Sequence, residues 1–346
     1  MTGPATLNKD RRLVLMGARR SGKSAIHSVV FRNVAPTETL FNSSTNNASV
    51  QQASAVSIGN SNAFLDFFSV WDYPGQPDFY DTNATDPTLI FGNCVSVVFI
   101  IDAQDDYIVA LKQLFLTVSM AYKVKKDMLF EVFVHKVDGL SDDHKIETQR
   151  DIHTRIRDEL LDAGLQDVHI GFHLTSIYDH SVFEALSKVV QRVLGEEGVL
   201  PTLENLLNIM CSNSGIEKAF LFDTNTKIYI ATDSSPVDIQ SYELCADMLS
   251  VVVDVGAVYG ADTNTSSGLN STGSQGEEDE VGSVIRLNNG MVLYMRGVNS
   301  TLSLVCLLRE ENFEKCGLID FNFNVFKTAV NDVFTVRRGD GNTLFK

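Results

Sequence analysis

The stretch Gly17-Ala18-Arg19-Arg20-Ser21-Gly22-Lys23-Ser24 has the residue types and spacing of a phosphate-binding loop. Its glycines let backbone N–H groups turn inward around phosphate oxygens. Lys23 reaches the outer phosphates, and the Ser24 hydroxyl can ligate a magnesium ion. The apolar run Leu13-Val14-Leu15-Met16 precedes the loop and a helical pattern follows it, so a helix N-terminus points its positive dipole end at the anion. The ligand class this implies is a nucleoside triphosphate or diphosphate with Mg2+. An ordinary glycine-containing strand-to-helix turn is the plain alternative.

Three further clusters fit around such a ligand. In Asp72-Tyr73-Pro74-Gly75-Gln76, Asp72 can face the metal through a water, the Gly75 N–H can face the terminal phosphate, and Gln76 can position the attacking water. In His135-Lys136-Val137-Asp138, the Asp138 carboxylate can accept two hydrogen bonds from the guanine ring N–H and exocyclic amine, which adenine does not offer in that geometry. Lys136 can lay its stem along the base plane, and Ser176 and Ile177 close over it. Thr45 is the first choice and Thr39 the second for a mobile switch threonine that ligates the metal only when the terminal phosphate is present. The bulk of Arg19 and Arg20 beside Gln76 predicts slow intrinsic hydrolysis, unless both side chains simply point to solvent.

The elements that must carry these residues alternate. Strand patterns at 13–17, 64–72, 94–102, 129–137 and 169–175 alternate with helical ones at 23–31, 107–121, 143–161 and 182–194. This is the α/β signature of a mostly parallel sheet covered on both faces, with ligands at the carboxyl ends of its strands. The pattern changes near residues 195–198. A helix at 203–211, a hairpin through 219–233, a helix at 241–259, strands at 283–287, 291–296 and 302–309, and a helix at 319–334 predict an α+β domain with one antiparallel sheet. The expected domains are 9–197 and 199–337. Residues 42–62 and 262–280 are polar and low in complexity, and 262–280 is expected to be a disordered insertion.

Composition limits the partners. With 44 acidic against 28 basic residues and a net charge of -16, the chain offers no basic stripe for nucleic acid and no attraction to an anionic membrane. Its five cysteines form no Cys-x-x-Cys pair or His/Cys cluster and read as reduced, which places the chain in the cytoplasm. The seven histidines lack metal-ligand spacing. No signal peptide, membrane span or lipidation box is recognisable, so a partner is expected to hold the chain at any membrane it works on.

With these motifs assembled, residues 11–336 resemble the Rag-family GTPases, and within them the C/D branch that includes the yeast vacuolar counterpart. The phosphate loop, Trp71-Asp72-Tyr73-Pro74-Gly75-Gln76 and the long block 134–153 carry the resemblance, with 203–236 equally close in the second domain. It implies a small-GTPase domain followed by a roadblock-like dimerisation domain, GTP or GDP with Mg2+ as ligands, and a heterodimer with an A/B-type Rag subunit. It further implies a relay of amino-acid sufficiency to the target-of-rapamycin complex at the lysosomal or vacuolar surface, through a lipidated scaffold, with a GTPase-activating protein. His135 stands where ordinary small GTPases carry Asn, a departure that touches the loop-tying role of that side chain and leaves base choice with Asp138.

Two functions remain open at this level. One is a hydrolysing switch, slow alone and accelerated by a partner's positive charge. The other is a nucleotide-loaded dimerisation scaffold with incidental hydrolysis. A small-molecule kinase is disfavoured by Asp138 and by the lack of an acceptor site.

Overall fold

The computed structural model describes residues 12–41, 69–72, 87–196, 198–258 and 282–337. Thr45, Gly75, Gln76 and both polar segments, 42–62 and 262–280, lie outside the described residues. The chain forms two compact units, Met1–Glu196 and Glu197–Lys346.

The first unit is built on five strands, β1 (Arg12–Gly17), β2 (Ser69–Asp72), β3 (Cys94–Asp102), β4 (Leu129–His135) and β5 (Ile170–Thr175). They lie in the order β2-β1-β3-β4-β5, and every pairing is parallel. Parallel neighbours need crossover helices, which bury both faces and explain why the strands read as continuous apolar runs. The helices are α1 (Lys23–Arg32), α2 (Pro87–Phe91), α3 (Ile108–Val124), α4 (Asp142–Asp162) and α5 (Ser181–Glu196). On one face Val14, Phe99 and Val132 pack with Leu114 and Val118 of α3 and Ile156 of α4. The alternate residues Leu15, Ile100 and Phe133 are equally buried and point to the opposite face. The predicted α/β class holds, and the carboxyl ends of all five strands fall on one edge, as parallel pairing requires.

The second unit starts with α6 (Leu200–Ser214) and continues through β6 (Ile216–Asp223), β7 (Tyr229–Thr232), α7 (Ile239–Val258), β8 (Gly282–Arg286), β9 (Met291–Gly297), β10 (Leu302–Arg309), α8 (Glu310–Phe313) and α9 (Cys316–Arg337). Its strands pair antiparallel in the order β7-β6-β10-β9-β8. The predicted α+β unit with one antiparallel sheet is therefore present. Gly290, at φ +77°, closes the β8–β9 hairpin in the left-handed conformation its turn needs. Phe220, Phe222, Tyr229 and Tyr242 form an aromatic cluster with centroids 5.2 to 6.3 Å apart, joining the β6–β7 hairpin to α7.

Candidate functional site

β1 ends at Gly17, whose φ is +143° and whose missing side chain is a necessity: a Cβ there would stand 2.2 Å from the Ile100 carbonyl oxygen of β3. Arg20 (φ +66°) and Gly22 (φ +103°) are also left-handed, so the chain winds back on itself between strand and helix. Gly22 caps α1 without any side-chain hydrogen bond, which leaves the first-turn amides to serve an anion. Lys23 is buried and folds across its own loop, its Nζ donating to the carbonyl oxygens of Gly17 at 2.9 Å and Ala18 at 2.7 Å and to Ser21 Oγ at 3.4 Å. Ser21 is buried beside it. Ser24 sits half-buried in the first turn of α1, while the Arg19 and Arg20 side chains are exposed.

The next strand ends deliver the other half. His135 closes β4 with its ring 1% exposed and Nδ1 3.0 Å from Thr175 Oγ1. A Cβ on Gly22 would lie 2.5 Å from His135 Cδ2, so the phosphate loop rests on the imidazole edge. Burial, with the charge of Lys136 next to it, pushes the His135 pKa down to about 4. The ring is therefore neutral near pH 7. Lys136 is left-handed (φ +65°) and turns its amine back to donate to the Arg20 carbonyl oxygen at 2.9 Å, while forming an ion pair with Asp102. One side chain thus ties the ends of β3 and β4 to the phosphate loop.

A single 3-10 turn, Val137–Gly139, then presents the exposed carboxylate of Asp138. Ser176 Oγ donates to Asp138 Oδ1 at 2.7 Å and accepts from the Tyr178 N–H at 3.1 Å, and the Ser176 N–H donates to Ser181 Oγ at 2.8 Å. Asp138 is therefore aimed by a serine that is itself fixed by two further hydrogen bonds, one at its N–H and one at its Oγ. Ile177 is half-buried in the same loop.

The structure brings Arg20, Ser21, Gly22, Lys23, His135, Lys136, Asp138 and Ser176 into one bonded constellation. Thr39 lies apart in the 3-10 turn Pro36–Phe41, where its hydroxyl donates to the Pro36 carbonyl at 2.7 Å. Asp72 is the last residue of β2, opposite Leu15 in the register. Two residues that sequence reasoning passed over belong to the site. Asp102 pairs with Lys136, and Gln104 Nε2 donates to the Lys136 carbonyl oxygen at 2.7 Å while its own N–H donates to Asp102 Oδ1 at 2.9 Å. The available signal was positional: Asp102 ends β3, which lies between β1 and β4 in the sheet. Among the described residues, no group of three or more His, Cys, Asp and Glu side chains could hold a metal ion. His153 instead packs edge-on against Phe172 at 4.9 Å, and His144 Nδ1 meets Ser141 Oγ at 2.6 Å.

The Gly17–Ser24 loop and the turn that carries Asp138 lie within a longer region of known kind. Residues 12–249 match the model of the Gtr1/RagA G protein conserved region. The chain belongs to the Gtr1/RagA family. Within the family it is 56% identical to human Ras-related GTP-binding protein C, over 96% of this chain and 79% of that protein. It is 51% identical to GTP-binding protein gtr2 of Schizosaccharomyces pombe, over 95% of this chain and 99% of that one. Identity to gtr1 of the same yeast is 25% over 65% of this chain, so the chain falls on the C/D side of the Gtr1/RagA family. Among solved structures, a roadblock/LC7 domain from Streptomyces avermitilis is 12% identical, covering 38% of this chain and 97% of its own at a TM-score of 0.27. Myxococcus xanthus MglB is 14% identical, covering 39% and 95% at a TM-score of 0.29.

Proposed function

We propose that this chain is the C/D-type subunit of a Rag heterodimer, a guanine-nucleotide switch that hydrolyses GTP to GDP and phosphate slowly alone and faster with an activating protein. The observation that carries the reading is the fixed link between two loops. Lys136 bonds to the phosphate loop at Arg20, and two residues on Asp138 is held by Ser176 with its carboxylate open to a base. Relatives named as GTP-binding proteins support guanine as that base.

The fit to a triphosphate rests on the left-handed backbone at Gly17, Arg20 and Gly22 and on the uncapped start of α1. Phosphate oxygens would compete with the loop carbonyls for the Lys23 amine. Ser24, Asp72 through a water, and Thr45 would hold Mg2+, which neutralises phosphate charge when bound. Thr39 donates its hydroxyl hydrogen to the Pro36 carbonyl and keeps its oxygen lone pairs for a metal, so the preference for Thr45 rests on the sequence alone. Gln76 would position the water and the Gly75 N–H would face the terminal phosphate. Arg19 and Arg20 are exposed, which suits the alternative in which both side chains point to solvent, so their bulk lends the slow basal rate no support.

Assembly would run through the second unit, the α+β domain with one antiparallel sheet. Leu318, Phe321 and Val325 are exposed along one side of α9, and Val251, Val255 and Val258 along one side of α7. Such stripes fit dimerisation with an A/B-type subunit. No helix among the described residues is long and apolar enough to cross a membrane. Peripheral placement at the lysosomal or vacuolar surface would then come from a lipidated scaffold, from which the dimer relays amino-acid sufficiency to the target-of-rapamycin complex. The same stripes suit a nucleotide-loaded scaffold, so turnover must separate the two.

The test is to co-express the chain with an A/B-type partner, identify the retained nucleotide by chromatography, and follow a single turnover. Guanine nucleotide is expected, with turnover that rises on adding an activating complex. Asp138→Asn should shift preference toward xanthine nucleotides by at least about tenfold. Adenine nucleotide in the pocket would overturn the base assignment, and guanine without turnover under any condition would leave the scaffold.

A further inference from the structure

The carboxyl half of α4, the connector that follows it and the strand β5 line a groove of about 460 Å³ that the nucleotide site does not use. Its apolar lining includes Ile156, Leu160, Leu161, Ile170 and Phe172. The ionisable side chains that line it are His153, Arg157 and His169, all basic. This is unexpected on a chain with 44 acidic and 28 basic residues, and the nearby Asp158, Asp162 and Asp167 are not part of the lining.

Arg157 sharpens the contrast. On the same helix, Arg155 pairs with Asp151 at 2.8 Å and Lys145 with Asp142 at 3.0 Å, whereas the Arg157 side chain makes no ion pair or hydrogen bond among the described residues. Leu161 beside it leaves 51% of its surface exposed. β5 ends the sheet, with β4 on one side and no further strand on the other among the described residues. Its free edge can therefore accept main-chain hydrogen bonds from an added segment.

We infer that this α4–β5 groove docks a segment of a partner protein in which a carboxylate neighbours an aliphatic or aromatic side chain. The carboxylate pairs with Arg157, the apolar side chain covers Leu161 and enters the gap above Phe172, and the segment's backbone runs beside β5. A bidentate carboxylate contact supplies orientation that a lone apolar groove lacks.

The full chain, loaded with GDP, can be panned against phage-displayed random short peptides after depletion on the Arg157→Glu variant. The expected result is enrichment of peptides with Asp or Glu within two residues of Leu, Ile, Phe or Trp. Synthetic copies should bind wild type and weaken about tenfold or more in Arg157→Glu and again in Leu161→Asp. Both positions are exposed, so the variants should keep the parent's melting temperature and nucleotide content. Asp158→Asn, outside the lining, should bind like wild type. Enrichment of basic peptides, of peptides indifferent to both variants, or of none overturns the proposal. So does sodium decanoate binding at Arg157 where peptides fail, which would make the groove a small-molecule pocket.

Discussion

Each unit buries a lysine, and the two are held in different ways. Lys23, 6% exposed, has carbonyl and hydroxyl oxygens of its own loop among its partners, and in that loop Gly17, Arg20 and Gly22 are all left-handed. Lys218, 5% exposed, sits in the regular strand β6 and is closed off by Asp233 at 3.1 Å and by the Ser235 carbonyl and hydroxyl at 2.7 and 3.0 Å. A buried charge is therefore no sign of a site by itself. The distinguishing feature is the backbone: around Lys23 it turns left-handed at three nearby residues, and around Lys218 it is ordinary sheet. In the second unit the polar groups serve the fold, and in the first the fold serves the polar groups.

The largest effect should come from removing one half of the closed pair. Lys218→Met leaves the Asp233 carboxylate buried without its cation and should cost about 3–5 kcal/mol of second-unit stability, read by chemical denaturation. Nucleotide retention by the first unit should not change. Replacing both partners by Met and Leu should recover most of the loss, because an apolar pair leaves no charge uncompensated. A single substitution that costs under about 1 kcal/mol, or one that empties the nucleotide site, would dissolve the contrast between the units.

His135 gives the next effect, through pH. Its folded pKa of about 4 lies below the ordinary 6.5, so between these values the unfolded chain binds a proton that the folded chain refuses. The stability tied to the neutral ring is fully present above about 6.5 and is lost as pH falls toward 4, by about 3 kcal/mol over the window. His135→Asn should flatten that part of the profile in denaturation curves taken at intervals of pH. An identical slope in wild type and variant would show that the ring titrates freely and does not support the loop at Gly22.

Much of this architecture was legible in the sequence because local pattern and tertiary role agreed. β3 and β10 occupy the residues their apolar runs marked, Cys94–Asp102 and Leu302–Arg309, since nearly every position is buried. The Asn288-Asn289-Gly290 turn was readable from its glycine. The short helices α2 and α8 were not, because four or five residues are too few to show a helical period. Glu131 was also hidden. It interrupts an apolar strand yet is buried, bonded to Arg192 and His173, and Gly171 is small because a Cβ there would stand 1.9 Å from the Glu131 carboxylate. At the site, residue types announced the phosphate loop and Asp138, whereas Asp102 and Gln104 act on Lys136 across more than thirty residues of chain. Strand order creates that meeting, and spacing along one sequence does not display it.

Gln104 provides the smallest and most discriminating test. Its amide holds the carbonyl of Lys136, the left-handed residue whose amine reaches Arg20 and whose turn aims Asp138. Gln104 is exposed, so Gln104→Ala removes one neutral hydrogen bond without opening a core, a loss of about 1 kcal/mol. If that bond only decorates the surface, the loss appears in unfolding and nucleotide affinity stays put. If it preorganises the base-facing turn, GDP dissociates about fivefold faster while stability barely moves, since the energy is drawn on only when a base must be held. Release of a fluorescent GDP analogue, measured beside a denaturation curve, separates these outcomes. An unchanged release rate would return Gln104 to the ordinary surface and leave Lys136 fixed by Asp102 and Arg20 alone.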